Sequence, residues 1–127
     1  MKMKLFLPIL AAALLAGCTS TAIYPVDTRV TVAEDLATDV FVRDVRCAKG
    51  EGSDFAMFQA TLVNNATRTV SVEWRVDWMD AAGFAVASDT EIWRIAAIPP
   101  KAHTSLQCVA PTPKAADMRF YVRRLRR

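Results

Sequence analysis

Histidine occurs once in the 127 residues, cysteine three times and glycine four times, and each scarcity removes a class of chemistry. A single histidine, His103, with no second histidine and no ligand-spaced cysteine pair, cannot assemble the usual zinc set. The cysteines stand at positions 18, 47 and 108 with no Cys-x-x-Cys among them, which leaves a thioredoxin-like redox site without support. Few glycines mean no phosphate-cradling loop and no dinucleotide fingerprint, and no serine sits in a nucleophile elbow. No repeat, low-complexity block or second domain is visible. The expectation is one domain without metal or cofactor and without catalytic residues.

What is present begins with an address. Met1-Lys2-Met3-Lys4 carries two positive charges, an apolar run from Leu5 to Leu14 follows with only Pro8 interrupting it, and the segment closes on Leu15-Ala16-Gly17-Cys18. The run is too short to span a hydrocarbon core of roughly 30 Å as a stable anchor, so residues 1–17 read as a secretory signal. Leu-Ala-Gly-Cys resembles the lipobox of bacterial lipoproteins, in which the cysteine thiol takes a diacylglycerol thioether, the chain is cut before it, and the new amino terminus is acylated. Lipidation is therefore expected at Cys18. Acyl chains contribute about 0.8 kcal/mol per buried methylene, so two or three hold a soluble domain on a membrane durably. In that class an Asp after the cysteine favours the inner membrane; Thr19 stands here, so an outer-membrane anchor facing the periplasm is expected. Residues 18–29 include Pro25 and show no helical period, and read as a tether reaching at most about 35 Å.

Removing the signal changes the composition. The mature chain has 14 basic against 13 acidic side chains, and the apparent greasiness falls to an ordinary globular value. Residues 30–127 are read as one domain. Val70, Val72, Trp74, Val76 and Trp78 alternate with Ser71, Glu73, Arg75, Asp77 and Met79, the period of a half-buried strand with one wet face. Phe58, Ala60 and Leu62 precede it, Asn64-Asn65-Ala66-Thr67 supplies a turn, and Asp80-Ala81-Ala82-Gly83 closes the strand with another, after which Phe84 and Val86 begin a strand. Further strands are expected near 29–33, 39–47 (with a bulge where the alternation breaks), 92–97, 103–109 and 118–125; Pro111 to Asp117 could form one helical turn. Turn signals every 8 to 12 residues predict an all-β, antiparallel, immunoglobulin-like β-sandwich of about seven strands, with Trp74 and Trp78 between the sheets.

The block from Val72 through Gly83, the Ile98-Pro99 step and the terminal strand Arg119-Phe120-Tyr121-Val122 resemble the YcfL-like family of small bacterial lipoproteins, a domain of unknown function. The resemblance covers nearly the whole mature chain and implies a periplasm-facing β-sandwich lipoprotein. Members are often encoded near lipoprotein activators of peptidoglycan synthases, which implies envelope work, such as an accessory role in peptidoglycan synthesis or outer-membrane maintenance. The matching positions are turn and core residues, so they speak to fold more than to activity.

Few residues invite a chemical role. In an oxidising periplasm Cys47 and Cys108 could form a disulfide, closing a loop of about 60 residues and constraining the unfolded chain by roughly 4 kcal/mol; the rival reading is two buried free thiols. His103 lies five residues from Cys108 on one strand, which puts the two on opposite faces and rules against a nucleophile–base pair. Glu73 and Asp77, four residues apart on a strand, are separated by about 13 Å, too far for a glycosidase pair. Glu73 is expected to meet Arg75 or Arg94, and Asp80 to cap local backbone amides. One charge feature stands out: Arg119, Arg123, Arg124, Arg126 and Arg127 give the last nine residues +5, against −4 for residues 18–118. Secretion removes nucleic acid as a partner. The remaining partners for such a tail are anionic lipid, peptidoglycan or an acidic patch on an envelope protein, and its alternative is a solvated strand end. A non-enzymatic, lipid-anchored binding module is the functional expectation, and the sequence assigns no oligomeric state.

Overall fold

In the computed structural model of the chain, residues 27–87 and 92–126 are described. Seven strands run in the order β1 (Val30–Val32), β2 (Val40–Lys49), β3 (Ala56–Asn64), β4 (Val70–Met79), β5 (Arg94–Ile98), β6 (His103–Val109) and β7 (Asp117–Arg124). They form a four-stranded sheet of order β1-β7-β4-β5 and a three-stranded sheet of order β2-β3-β6. The sandwich expected from the turn spacing is thus what the chain builds.

Strand β4 shows why. Its residues alternate without exception between buried (Val70, Val72, Trp74, Val76, Trp78) and half-buried (Ser71, Glu73, Arg75, Asp77, Met79), so every second side chain leaves water on one face of the sheet. Phe58 of β3 crosses the gap from the opposite sheet. Its ring lies 4.8 Å from that of Phe120 and 6.5 Å from that of Trp74, and Trp74 and Phe120 are 6.1 Å apart, tilted geometries that suit aromatic quadrupoles. Leu36, Leu62, Ile98, Met118 and Trp78 extend this layer along the strands.

Three details depart from the sequence expectation. The sandwich is antiparallel except at one edge: β1 pairs with β7 in parallel, Val30 opposite Phe120 and Val32 opposite Val122. Parallel neighbours require a long connection, and here the five intervening strands supply it. The strand expected to begin at Phe84 is reduced to an isolated bridge between Met79 and Ala85. Asp80 Oδ1 accepts from the Ala82 and Phe84 amides, and Gly83 takes φ 88°, which curls the chain tightly and leaves the Phe84 ring in solvent. Residues 111–117 make no helical turn; the Ala115 amide donates to the Thr112 carbonyl in a single tight turn before Asp117 opens β7. The bulge in β2 is present, with the register shifting between Arg43 and Arg46 and Asp44 at φ 54°, a left-handed conformation that Asp tolerates.

The turn after β3 is more than local chemistry. Asn64 is 1% exposed, and its Nδ2 lies 2.8, 2.9 and 3.1 Å from the carbonyl oxygens of Arg68, Ile98 and Pro99, while its Oδ1 accepts from the Ala66 amide at 2.8 Å. One side chain thus ties the β3–β4 turn of one sheet junction to the end of β5 in the other sheet.

Candidate functional site

The outer face of the four-stranded sheet gathers the most distinctive side chains. Alternation on β4 turns Glu73, Arg75 and Asp77 outward, and the antiparallel register sets Glu73 opposite Arg123, Arg75 opposite Tyr121 and Asp77 opposite Arg119 on β7. Trp93, just before β5, reaches over β4 from the other side. The Arg123 guanidinium carbon sits 3.7 Å from the Trp93 ring centre, and that of Arg75 lies 5.0 Å from Trp93 and 5.4 Å from Tyr121. Carboxylates hold both arginines from the side: Arg123 Nε donates to Glu73 Oε2 at 2.7 Å, and Arg75 Nη2 donates to Asp77 Oδ2 at 2.9 Å. Arg75 Nε is also 2.8 Å from Asp77 Oδ1, but that approach is poorly directed for a hydrogen bond, so we regard this second contact as an ion pair only.

The result is a plate of stacked rings and guanidinium planes, half-buried and pre-ordered. Cation–π contacts of this kind contribute about 0.5 to 2 kcal/mol each, and the flanking carboxylates fix the planes. Ile95, on the same outer face of β5, is 67% exposed beside it. Trp, Tyr and Arg are the residues that dominate binding hot spots, because they offer large contact area at low conformational cost.

This arrangement revises the reading of the basic C-terminus. Of the five arginines, Arg123 is held by Glu73 and Trp93, and Arg124 is drawn into the β1–β2 connection, with Nη2 donating to the Asp35 carbonyl at 2.7 Å and to Asp39 Oδ2 at 3.2 Å. Arg119 and Arg126 are exposed, and Arg127 lies outside the described residues. Two of the five charges are therefore folded into the sheet, because β7 is a central strand flanked by acids on β4 and the 34–39 turn. Glu73 meets Arg123 and not Arg75 or Arg94: Arg123 is its cross-strand partner, Arg75 is engaged by Asp77, and Arg94 points inward over Trp74 at 5.4 Å. The plate itself was not anticipated. The outward period-two run Arg119-Tyr121-Arg123 is the signal in the sequence that could have revealed it.

The two thiols of the folded domain are free. Cys47 and Cys108 both lie opposite Phe58, one on β2 and the other on β6, with β3 between them. Two strand spacings separate their backbones by about 9.5 Å, beyond the roughly 7 Å a disulfide can bridge. The bridge considered from sequence is thus corrected to two free thiols, since the topology inserts a whole strand between the positions. Burial pushes both thiols above the usual cysteine range, and Asp117 adds to the effect at Cys47. Protonated, half-enclosed thiols are poor nucleophiles. Thiol counting on the denatured soluble domain without reductant should find two reactive groups, with alkylation slow under native conditions; a count of zero would restore the disulfide.

Cys47 borders a hollow of about 430 Å³ at one end of the sandwich, lined also by Arg29, Met79, Asp80 and Asp117. Arg29 is committed there, with Nη2 donating to Asp27 Oδ2 at 2.8 Å and Nη1 to Asp117 Oδ1 at 3.3 Å. The Arg29 hydrogen bond holds the Asp27 carboxyl below the usual range and Asp27 raises the arginine in turn. Every charged group but Asp80 is thereby neutralised in a pair, and Asp80 is occupied by its turn amides. His103 is exposed at the opposite end of β6 and Cys108 is buried, so they do face opposite ways. Cys18 lies outside the described residues.

The family model described as "Protein of unknown function (DUF1425)" matches residues 27–124. No curated protein matches the chain. Two solved structures share its fold. The crystal structure of Campylobacter jejuni cj0090 superposes with a TM-score of 0.67 at 20% identity, covering 78% of this chain and all of the other. A DUF1425 family member from Shewanella sp. pv-4 superposes with a TM-score of 0.61 at 19% identity, covering 69% of this chain and 80% of the other.

Proposed function

The chain belongs to the DUF1425 family, whose function is unknown, and from its own residues we propose that it is a YcfL-like envelope lipoprotein, anchored through Cys18 to the outer membrane on its periplasmic side, whose sandwich binds a protein partner and catalyses nothing. The observation that carries the binding role is the plate of Arg75, Arg123, Trp93 and Tyr121 on an open sheet face. Glu73 across the strand pair and Asp77 on the same strand hold the two arginines in place before any partner arrives, which reduces the ordering cost of association. The anchor is supported by the charged, apolar and small-residue segments ending at Cys18. The absence of an enzyme role is supported by the chemistry of the groups at the plate and the hollow: thiols pushed toward their protonated form, and Glu73, Asp77 and Asp80 engaged by arginines or backbone amides.

A photo-crosslinking side chain at Ile95, beside the plate, tests the binding role in intact cells. It should give a discrete protein adduct that disappears in Trp93→Ala, whereas the same group at Gln107, on the outer face of the other sheet, should give none. Equal labelling from both positions, or none from Ile95, rejects the plate as the binding face. Cys18→Ala should abolish incorporation of labelled palmitate and leave the signal uncleaved; acylation that persists in this variant rejects the anchor.

A further inference from the structure

We propose that one end of the sandwich rests on the bilayer through its apolar side chains, so that the protein stands upright with the Arg–aromatic face turned sideways; this rests on the anchoring reading above. The end is identified by the topology. Strand β1 runs parallel to β7 and begins at Val30 beside Phe120, so the chain preceding it departs from the end where β7 starts and β4 finishes. Arg29 confirms the placement, since its side chain reaches Asp117 and lines the same hollow as the 80–83 turn. Only eight residues, 19–26, separate Cys18 from Asp27, where the described chain begins, a reach of at most about 30 Å. A lipidated Cys18 therefore keeps this end close to the membrane.

The apolar side chains at this end are out of keeping with a solvated surface. Met57 of β3 and Val109 of β6 are cross-strand partners on the outer face of the three-stranded sheet, Ala48 of β2 adjoins Met57, and Phe55 precedes the pair. All four are exposed. At the same end of the other sheet, the tip of the 80–84 turn presents Phe84 at 72% exposure. The opposite end presents mainly charge: Glu34, Asp35, Arg68, Lys101 and Arg126 are all exposed, with Phe41 the one large exposed apolar side chain there among the described residues. Scattered exposed apolar residues need no explanation, but their concentration at the end that the anchor pulls toward the bilayer does.

The attraction is apolar and not electrostatic. The charges at this end are Arg29, Arg46, Lys49, Lys114 and Arg119 against Asp27, Glu51, Asp54, Asp80 and Asp117, which balance, so a zwitterionic surface suffices. Aromatic rings at interfacial depth with lysine stems lying along the surface are how amphipathic surfaces settle at a bilayer.

The test uses the lipidated protein, purified with its acyl chains and reconstituted into vesicles of phosphatidylethanolamine and phosphatidylcholine containing a brominated, fluorescence-quenching lipid. A genetically encoded fluorescent side chain is placed at Ala82, on the tip beside Phe84, or at His103, at the far end. Quenching at position 82 should exceed that at 103 several-fold, and Phe55→Asp/Phe84→Asp should bring position 82 down to the level of 103 while the protein still floats with the vesicles. Equal quenching at both positions in the otherwise unsubstituted protein overturns the proposal, as does a difference that appears only when anionic lipid is added. Protein that does not float with the vesicles overturns the anchoring reading, and this inference with it.

Discussion

Asn64→Asp is expected to cost about 3 to 5 kcal/mol at neutral pH, the range for a buried charge left without a partner. The asparagine amide nitrogen faces the carbonyls of Arg68, Ile98 and Pro99, and a carboxylate would set one charged oxygen against those three, with almost no water nearby, while the other keeps only the Ala66 amide. Domains of this size have roughly 5 to 15 kcal/mol of stability in total, so most of the folded population is at risk. The pH dependence carries a sign that separates this mechanism from simple loss of packing. Desolvation and the three carbonyl dipoles raise the folded-state pKa of the new carboxyl above its unfolded value of about 3.9. The folded state then binds more protons, so stability increases as pH falls through the raised folded pKa and the gain is complete below the unfolded one. A protonated carboxyl can also donate to one of the carbonyls. Urea unfolding at pH 7 and pH 5 should show Asn64→Asp regaining stability in the acid, while Asn64→Leu, which leaves the carbonyls unsatisfied at either pH, should lose about 2 to 4 kcal/mol at both. No pH difference between the two variants would mean that the side chain does not clamp the β5 end.

Phe58→Ala should be comparably damaging for a different reason. The ring is fully buried between the sheets, in contact range of Trp74 and Phe120, which come from the other layer. Truncation removes its transfer energy and leaves a cavity whose walls are strands in two sheets, which cannot collapse together easily; the expected cost is about 3 to 5 kcal/mol. Phe58→Leu, which keeps most of the volume, should lose less than half of that. Because Trp74 is a neighbour, its fluorescence should shift in the alanine variant even under fully folding conditions. Ile95→Ala, on the exposed face, serves as the contrast and should fall within about 0.5 kcal/mol of the unsubstituted domain. A Phe58→Ala cost as small as that would show that the intersheet layer is not packed around this ring.

These two residues also mark what could be read from the chain and what could not. Strand β4 was legible because its five buried and five half-buried residues obey the period of two, a local property. The bulge in β2 was legible for the same reason: it interrupts a period. Asn64 was recognisable only as a turn residue, since its partners at Ile98 and Pro99 stand 34 and 35 positions away and nothing local announces them. The cysteines show the same boundary. Their strand positions could be inferred, but whether a third strand separates them is decided by sheet order, a long-range choice. The C-terminal arginines were visible as a charge excess, while their fate depended on which acids β4 and the 34–39 turn would bring alongside. Burial at a single strand is encoded in neighbours along the chain; pairing is encoded in the register between distant strands.

The parallel pairing of β1 with β7 has a mechanical side. Any pull on the N-terminal chain acts along the axis of β1, which lies lengthwise against β7, so the load is shared among its bonds at once and does not open them one after another. Directly behind β1 the chain turns through Leu36, which is fully buried between the sheets. Drawing β1 out would require dragging Leu36 through the core, so that residue acts as a stop. A strand of only three residues can in this way bear tension out of proportion to its length.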